Sequence, residues 1–328
     1  MTRPFQRGPF AALPARPRRP HRYFEAPARD VLVESTHFGR VRIHVRELGA
    51  GPPLLLLHGL MTSGYSFRYI LDDLARDHRV LVPDLPGAGR SDKPDVTYGA
   101  TALAHFVLEL QATLGIRGCA AVGNSMGGFI AMRAALADAG AFRCLVDLHS
   151  PGVPSGRYTA LHAALSVPGA RGLLSWWIRR RPLRWAHANV HYYDESLKSL
   201  EEASEYGDPL ATREGAAAFI HYLHDTFAPA ELAAFVAELR TRRDTGQAFP
   251  TPLLLLYARQ DPLVVPGIGA ELAALVPDAR LEWLEDTSHF AHVDTPEAVL
   301  AAVRAFLAEA ATPPPPLAPR TRPPSHAD

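Results

Sequence analysis

Cysteine is nearly missing from this chain, with only Cys119 and Cys144 among 328 residues. Both sit inside apolar strand-like runs and read as reduced, buried small hydrophobes, so no disulfide framework is available. Long hydrophobic runs are missing too. Early in the body the longest pure apolar run is Leu54–Leu57, far short of a bilayer span. The N-terminus has arginines but no continuous apolar segment behind them, so no secretory signal is visible. The expectation is a cytoplasmic protein with no integral membrane segment. Net charge is absent as well. Lys plus Arg and Asp plus Glu balance at 34 each, which leaves no global field to recruit nucleic acid or a membrane. No clustered ligand spacing suggests a metal, and no glycine-rich phosphate loop with a lysine occurs, so neither metal nor cofactor is expected.

What is present is an ordinary globular composition, 47% hydrophobic and 21% charged, long enough for one large domain with an insertion. The charge balance hides an asymmetry. Residues 1–30 carry +5, the tail from Thr312 carries +1, and the body between them about −6. Thirteen of the 30 prolines lie in residues 1–30 and 313–324. Pro-Arg segments without periodic apolar residues bury little surface, so 1–30 and 312–328 are expected to be disordered arms.

Between the arms, short β-rich runs alternate with helical patterns, the signature of an α/β sheet. Eight strands are expected, at Val31–Glu34, Val41–Glu47, Leu54–Leu57, Val80–Val82, Arg117–Val122, Arg143–Leu148, Leu253–Tyr257 and Arg280–Leu284. Helices fit Tyr65–Asp77, Ala102–Leu114, Met126–Ala137, Ala270–Leu275 and Pro296–Ala310. Residues 152–248 interrupt the alternation with helical stretches and no strand pattern. The domain expectation is therefore a core of 31–151 and 249–311 with a helical cap, 152–248, over the strand ends.

The most specific segment is Gly123-Asn124-Ser125-Met126-Gly127-Gly128, between an apolar run and a helical one. A Gly-x-Ser-x-Gly in that position forms a nucleophile elbow, which lifts a serine hydroxyl clear of the sheet. Its glycines accommodate a strained turn and close backbone neighbours. Ser125 then needs a base and an acid to orient that base, in the chain order Ser, Asp, His. Asp261 directly follows the seventh strand and His289 follows the eighth, both at carboxyl ends of strands, where open α/β sheets bind ligands. The oxyanion donors would be the backbone N–H of Met126 and of Leu60, in the loop after Leu54–Leu57.

His58-Gly59, Asp84-Leu85-Pro86-Gly87-Ala88-Gly89-Arg90-Ser91-Asp92, the elbow, Asp261-Pro262 and Ser288-His289-Phe290-Ala291-His292-Val293-Asp294-Thr295-Pro296 together resemble the α/β-hydrolase-fold serine hydrolases with a cap. The resemblance spans residues 54–296. It implies a doubly wound, mostly parallel eight-stranded sheet with a helical cap insertion, and the triad Ser125, Asp261 and His289. Ala88 stands where relatives often have histidine and Ser288 where they usually have glycine. The resemblance favours His289 over His292 as the base, because Asp294 and Pro296 fall at the offsets that follow the catalytic histidine. It also favours Asp261 over Asp147, although some relatives carry the acid at the end of the sixth strand. Branches with an aspartate nucleophile are disfavoured by Ser125.

Trp176, Trp177 and Trp185 either line an apolar acyl pocket or pack the cap onto the body. His292 is a candidate to line or support the site, His58 to structure the oxyanion loop, and His187, His191 and His221 to touch substrate. The expected activity is cofactor-independent hydrolysis of a small ester-like substrate through an acyl-enzyme on Ser125. Two alternatives stand beside it. The elbow is similar to that of meta-cleavage-product hydrolases, which cut carbon–carbon bonds, and some relatives keep the triad while acting as ligand receptors. Substrate identity and oligomeric state lie beyond the sequence, since specificity is set by the cap.

Overall fold

The computed structural model describes residues 4–311; the expected tail at 312–328 lies outside the described residues. Eight strands form one sheet: β1 (Ala28–Ser35), β2 (Gly39–Leu48), β3 (Pro53–Leu57), β4 (Arg79–Pro83), β5 (Cys119–Asn124), β6 (Phe142–Leu148), β7 (Leu253–Ala258) and β8 (Arg280–Leu284). Their spatial order is β1-β2-β4-β3-β5-β6-β7-β8. The β1/β2 hairpin and the β2/β4 pair are antiparallel, and the remaining pairs are parallel. This is the doubly wound, mostly parallel sheet of the α/β-hydrolase fold.

The helices are α1 (Leu71–Leu74), α2 (Ala100–Leu114), α3 (Met126–Ala137), α4 (Gly156–Ser166), α5 (Ala170–Arg180), α6 (Pro182–Asn189), α7 (Leu200–Ala211), α8 (Arg213–His221), α9 (Pro229–Asp244), α10 (Pro266–Leu275), α11 (Ala291–Asp294) and α12 (Pro296–Ala311). A π turn over Tyr222–Thr226 continues α8. Between β6 and β7 the chain is helical, with no strand among the described residues.

Continuous apolar strands follow from burial on both faces. Leu55 and Leu57 of β3 join one core with α2 and α3, while Leu54 and Leu56 join a second with α1 and α12. Strand β7 divides likewise, with Leu253, Leu255 and Tyr257 on one side and Leu254 and Leu256 on the other. Parallel register brings the carboxyl ends level, pairing Leu57 with Gly123 and Asn124 with Leu148. The loops after β3, β5, β6, β7 and β8 therefore leave the sheet at one edge.

Two expectations change. The helix expected over Tyr65–Asp77 is a 3-10 turn at Gly64–Phe67 followed by the single-turn α1. Residues 4–27 of the expected disordered arm are instead laid down on the body as a strap. Tyr23 is buried, with the Arg46 guanidinium 4.5 Å over its ring. Further along, Leu200 N–H donates to Pro14 O at 2.8 Å and Glu201 N–H to Ala15 O at 3.1 Å. Composition misleads here because the strap's apolar and backbone partners belong to other elements.

Candidate active site

Ser125 occupies the turn between β5 and α3 with φ 53° and ψ −117°, left-handed for a non-glycine residue. Such a backbone costs about 1–3 kcal/mol and persists only where its surroundings enforce it. Here they do. Ser125 N–H donates to Leu148 O at 2.7 Å, tying the turn to the end of β6. A Cβ at Gly127 would collide with the Leu57 carbonyl, and one at Gly128 with the Asp147 carboxylate. The elbow's glycines are therefore demanded by packing as well as by the turn.

Asp261, in the loop after β7, accepts backbone N–H donors from Leu263 at 2.7 Å and Val264 at 2.9 Å on Oδ1. Its other oxygen, Oδ2, lies 2.7 Å from His289 Nδ1. Burial alone would raise the Asp261 carboxyl; the His289 imidazole and these donors outweigh it and hold the group below its ordinary value. A carboxylate on Nδ1 selects the tautomer whose Nε2 carries the free lone pair. The Asn124 amide reaches back to Leu148 O at 3.4 Å and to His289 O at 3.3 Å, linking the β5, β6 and β8 loops.

Ser125 and His289 line one cavity of about 450 Å³. Gly59, Leu60 and Met61 from the β3 loop border it. Its far wall comes from the helical insertion, through Tyr158, Leu161, Leu174, Trp185, Phe219 and Phe227. Met126, as the first residue of α3, has an N–H without an intrahelical acceptor. His58 is buried and braces the neighbouring loops. Leu85 N–H donates to its Nε2 at 2.9 Å, and its Nδ1 lies 2.9 Å from Gly59 O.

Asp147 has a different neighbourhood. It is fully buried at the end of β6, accepts from Tyr257 Oη at 3.1 Å, and its Oδ1 has no partner. Burial pushes its carboxyl up to about 8, partly offset by the Tyr257 hydroxyl. Burial thus favours the neutral acid at Asp147, while the histidine favours the anion at Asp261.

Three expected lining residues fall elsewhere. Trp176 and Trp177 are on the exposed face of α5, because its inward positions are taken by Leu174 and Ile178. Trp185, on α6, lines the cavity instead and meets Trp177 edge-on at 5.6 Å. His292 is wholly buried against Phe67 and Phe290, with neither ring nitrogen hydrogen-bonded, and burial drives it well below its usual value. Of the three histidines of the helical insertion expected as candidates to touch substrate, His191 lines the cavity, while His187 and His221 do not.

His149 also belongs to the site's surroundings. It has φ 58°, and its Nε2 accepts from Ala258 N–H at 2.8 Å. Its ring lies 5.7 Å from that of His289, and burial lowers it to about 3. A lone histidine after a strand gives no sequence signal for this. Ser288 Oγ donates to Asp294 Oδ2 and lies 3.1 Å from His191 O, so the serine at the usual glycine position links the His289 loop to the insertion.

Comparison with known proteins agrees with this architecture. Residues 52–296 match the family model described as alpha/beta hydrolase fold. A 2-hydroxymuconate semialdehyde hydrolase of Pseudomonas sp. (strain CF600) is 27% identical over 284 residues, covering 82% of this chain and 92% of that protein. Among solved structures, a thermophilic esterase from Thermogutta terrifontis superposes with TM-score 0.70 at 21% identity, over 87% of this chain and 100% of its own. The haloalkane dehalogenase DatA from Agrobacterium tumefaciens C58 gives 0.73 at 23% identity, over 89% and 100%. At these identities the two structures speak to the fold alone.

Proposed function

The chain belongs to the alpha/beta hydrolase fold family and is an enzyme of the hydrolase class; from that premise we propose that it is a serine hydrolase cleaving carboxylic esters through an acyl-enzyme on Ser125. The observation that carries the reading is the 2.7 Å contact of Asp261 with His289 Nδ1, beside a strained Ser125 in the same cavity. In this mechanism His289 Nε2 takes the Ser125 proton as Oγ attacks the carbonyl carbon. Asp261 holds the tautomer and stabilises the imidazolium. The N–H groups of Met126 and Leu60 receive the developing oxyanion, each worth about 3–4 kcal/mol of barrier. His289 then returns the proton to the departing alcohol, and water, deprotonated by His289, releases the acid.

The helical insertion serves as a cap in this reading, since its side chains supply the apolar far wall and so set acyl preference. The Ser125→Ala variant should lose p-nitrophenyl ester turnover and fluorophosphonate labelling while keeping its far-UV circular dichroism. Labelling that persists in the variant would overturn the assignment.

A carbon–carbon hydrolase is the second reading, favoured by one feature of the cavity. Arg157 lines it and makes no ion pair among the described residues, which suits a carboxylate-bearing substrate such as a ring-cleavage dienoate. Steady-state decay of a dienoate chromophore, faster than ester turnover and slowed by Arg157→Gln, would favour that reading over the ester.

A further inference from the structure

The face of α5 that carries Trp176 and Trp177 is largely uncovered in the described fold, with Trp177 meeting Trp185 edge-on at its margin. Leu173, Trp176, Trp177 and Arg180 recur at i, i+3, i+4 and i+7 and form one outward stripe, while Leu174 and Ile178 point inward. The three apolar members are 67%, 53% and 62% exposed, and Val167 in the preceding turn is 57% exposed. Large hydrophobics exposed elsewhere among the described residues are Phe24, Leu32 and Val265. The molecule's exposed apolar side chains are therefore concentrated at this one place, which ordinary surfaces avoid.

Along the chain on either side of the stripe the charge is of one sign. No carboxylate occurs in the sequence between Asp147 and Asp194, and that interval holds six arginines. Arg179, Arg180, Arg181 and Arg184 are exposed, and none makes an ion pair among the described residues. The Arg180 guanidinium instead lies 4.7 Å over the Trp176 ring. An amphipathic helix with tryptophan and leucine on its apolar stripe and arginines at its edge has the chemistry of a membrane-interface helix. Indole and guanidinium groups sit at headgroup depth, and unpaired arginines attract anionic lipid.

From this juxtaposition we propose that the α5 face docks peripherally on an anionic lipid bilayer. A second copy of the chain fits less well. An isologous dimer would stack the same unpaired arginines against each other, and a heterologous one would find only scattered single hydrophobics. The docking is independent of whether Ser125 is the nucleophile. It lies next to the cavity wall all the same, because Trp177 touches Trp185 and Leu174 projects inward from the same helix.

The test is cosedimentation of the full chain with phosphatidylcholine vesicles containing phosphatidylglycerol, against vesicles of phosphatidylcholine alone. Binding is expected on the anionic vesicles only, with a blue shift of tryptophan emission and release at high salt. Arg179→Gln/Arg180→Gln/Arg181→Gln should weaken it about 100-fold, and Trp176→Glu should abolish the blue shift, both at an unchanged circular dichroism spectrum. Failure to bind anionic vesicles, equal binding of the two vesicle types, or undiminished binding by both variants would overturn the proposal. So would self-association in sedimentation velocity that both variants abolish while the parent ignores vesicles.

Discussion

At the level of single residues, two buried aspartates show how surroundings divide one side chain into two chemistries. Asp261 is ionised because a histidine and two backbone N–H groups face it. Its replacement by asparagine keeps the shape but presents the wrong group to His289 Nδ1. Asp261→Asn should lower ester kcat by about 10⁴-fold with little change in KM, measured by steady-state kinetics. Asp147 has no such company, and its carboxyl stands at about 8 against roughly 4 in the unfolded chain. Between those values the folded state holds a proton that the unfolded state has released. Its contribution to stability therefore falls as pH rises from about 4 to about 8, on the order of 1 kcal/mol per unit. Asp147→Asn cannot ionise, so its stability relative to the parent should improve across pH 5–8 in denaturant melts; a flat difference would contradict the raised value. Ser125, Asp261 and His289 are legible in sequence because each sits in a motif tied to a strand end. Trp176, Trp177 and His292 are not, because whether a residue faces the cavity depends on the rotation of a helix about its own axis.

At the level of elements, the strap is where composition and structure part most clearly. Its residues bury little against one another and gain their partners from other elements, Tyr23 from β2 and residues 5–8 from the insertion. Phe5 N–H donates to Tyr193 O at 3.0 Å, Arg7 Nη1 to Ala188 O at 2.8 Å, and Gly8 O lies 3.1 Å from His187 Nε2. The stretch held in this way, His187–Tyr193, delivers Asn189 and His191 to the cavity. Deleting residues 1–17 should therefore speed amide exchange across 187–199, while β3, β5 and β7 stay protected in hydrogen-exchange mass spectrometry. Unchanged exchange there would mean that the insertion holds its own loop. The sheet is readable from sequence because continuous apolar strands need no partner information beyond burial. The strap is not, since the contacts that hold it to the body are remote in sequence.

At the level of the whole molecule, the cavity exists only while the insertion stays seated on the sheet, and the seating has a charged anchor. Arg68, after the 3-10 turn that follows β3, is completely buried between the Tyr65 and Tyr69 rings, at 4.4 and 4.5 Å. Its Nη2 donates at 2.7 Å to Glu202 of α7, which also accepts from the Tyr192 hydroxyl. Desolvating such a pair costs most of what its attraction returns, so the pair contributes little net stability, whereas breaking it strands a charge. Arg68→Met alone should destabilise by about 3–5 kcal/mol and loosen the insertion, raising KM for long-chain esters before kcat falls. In the double variant Arg68→Met/Glu202→Leu no charge is left unpaired, and most of the lost stability should return. The two melts together with the KM values test the anchor: if the double variant is no more stable than Arg68→Met, the arginine acts through its stacking on Tyr65 and Tyr69 and not through Glu202.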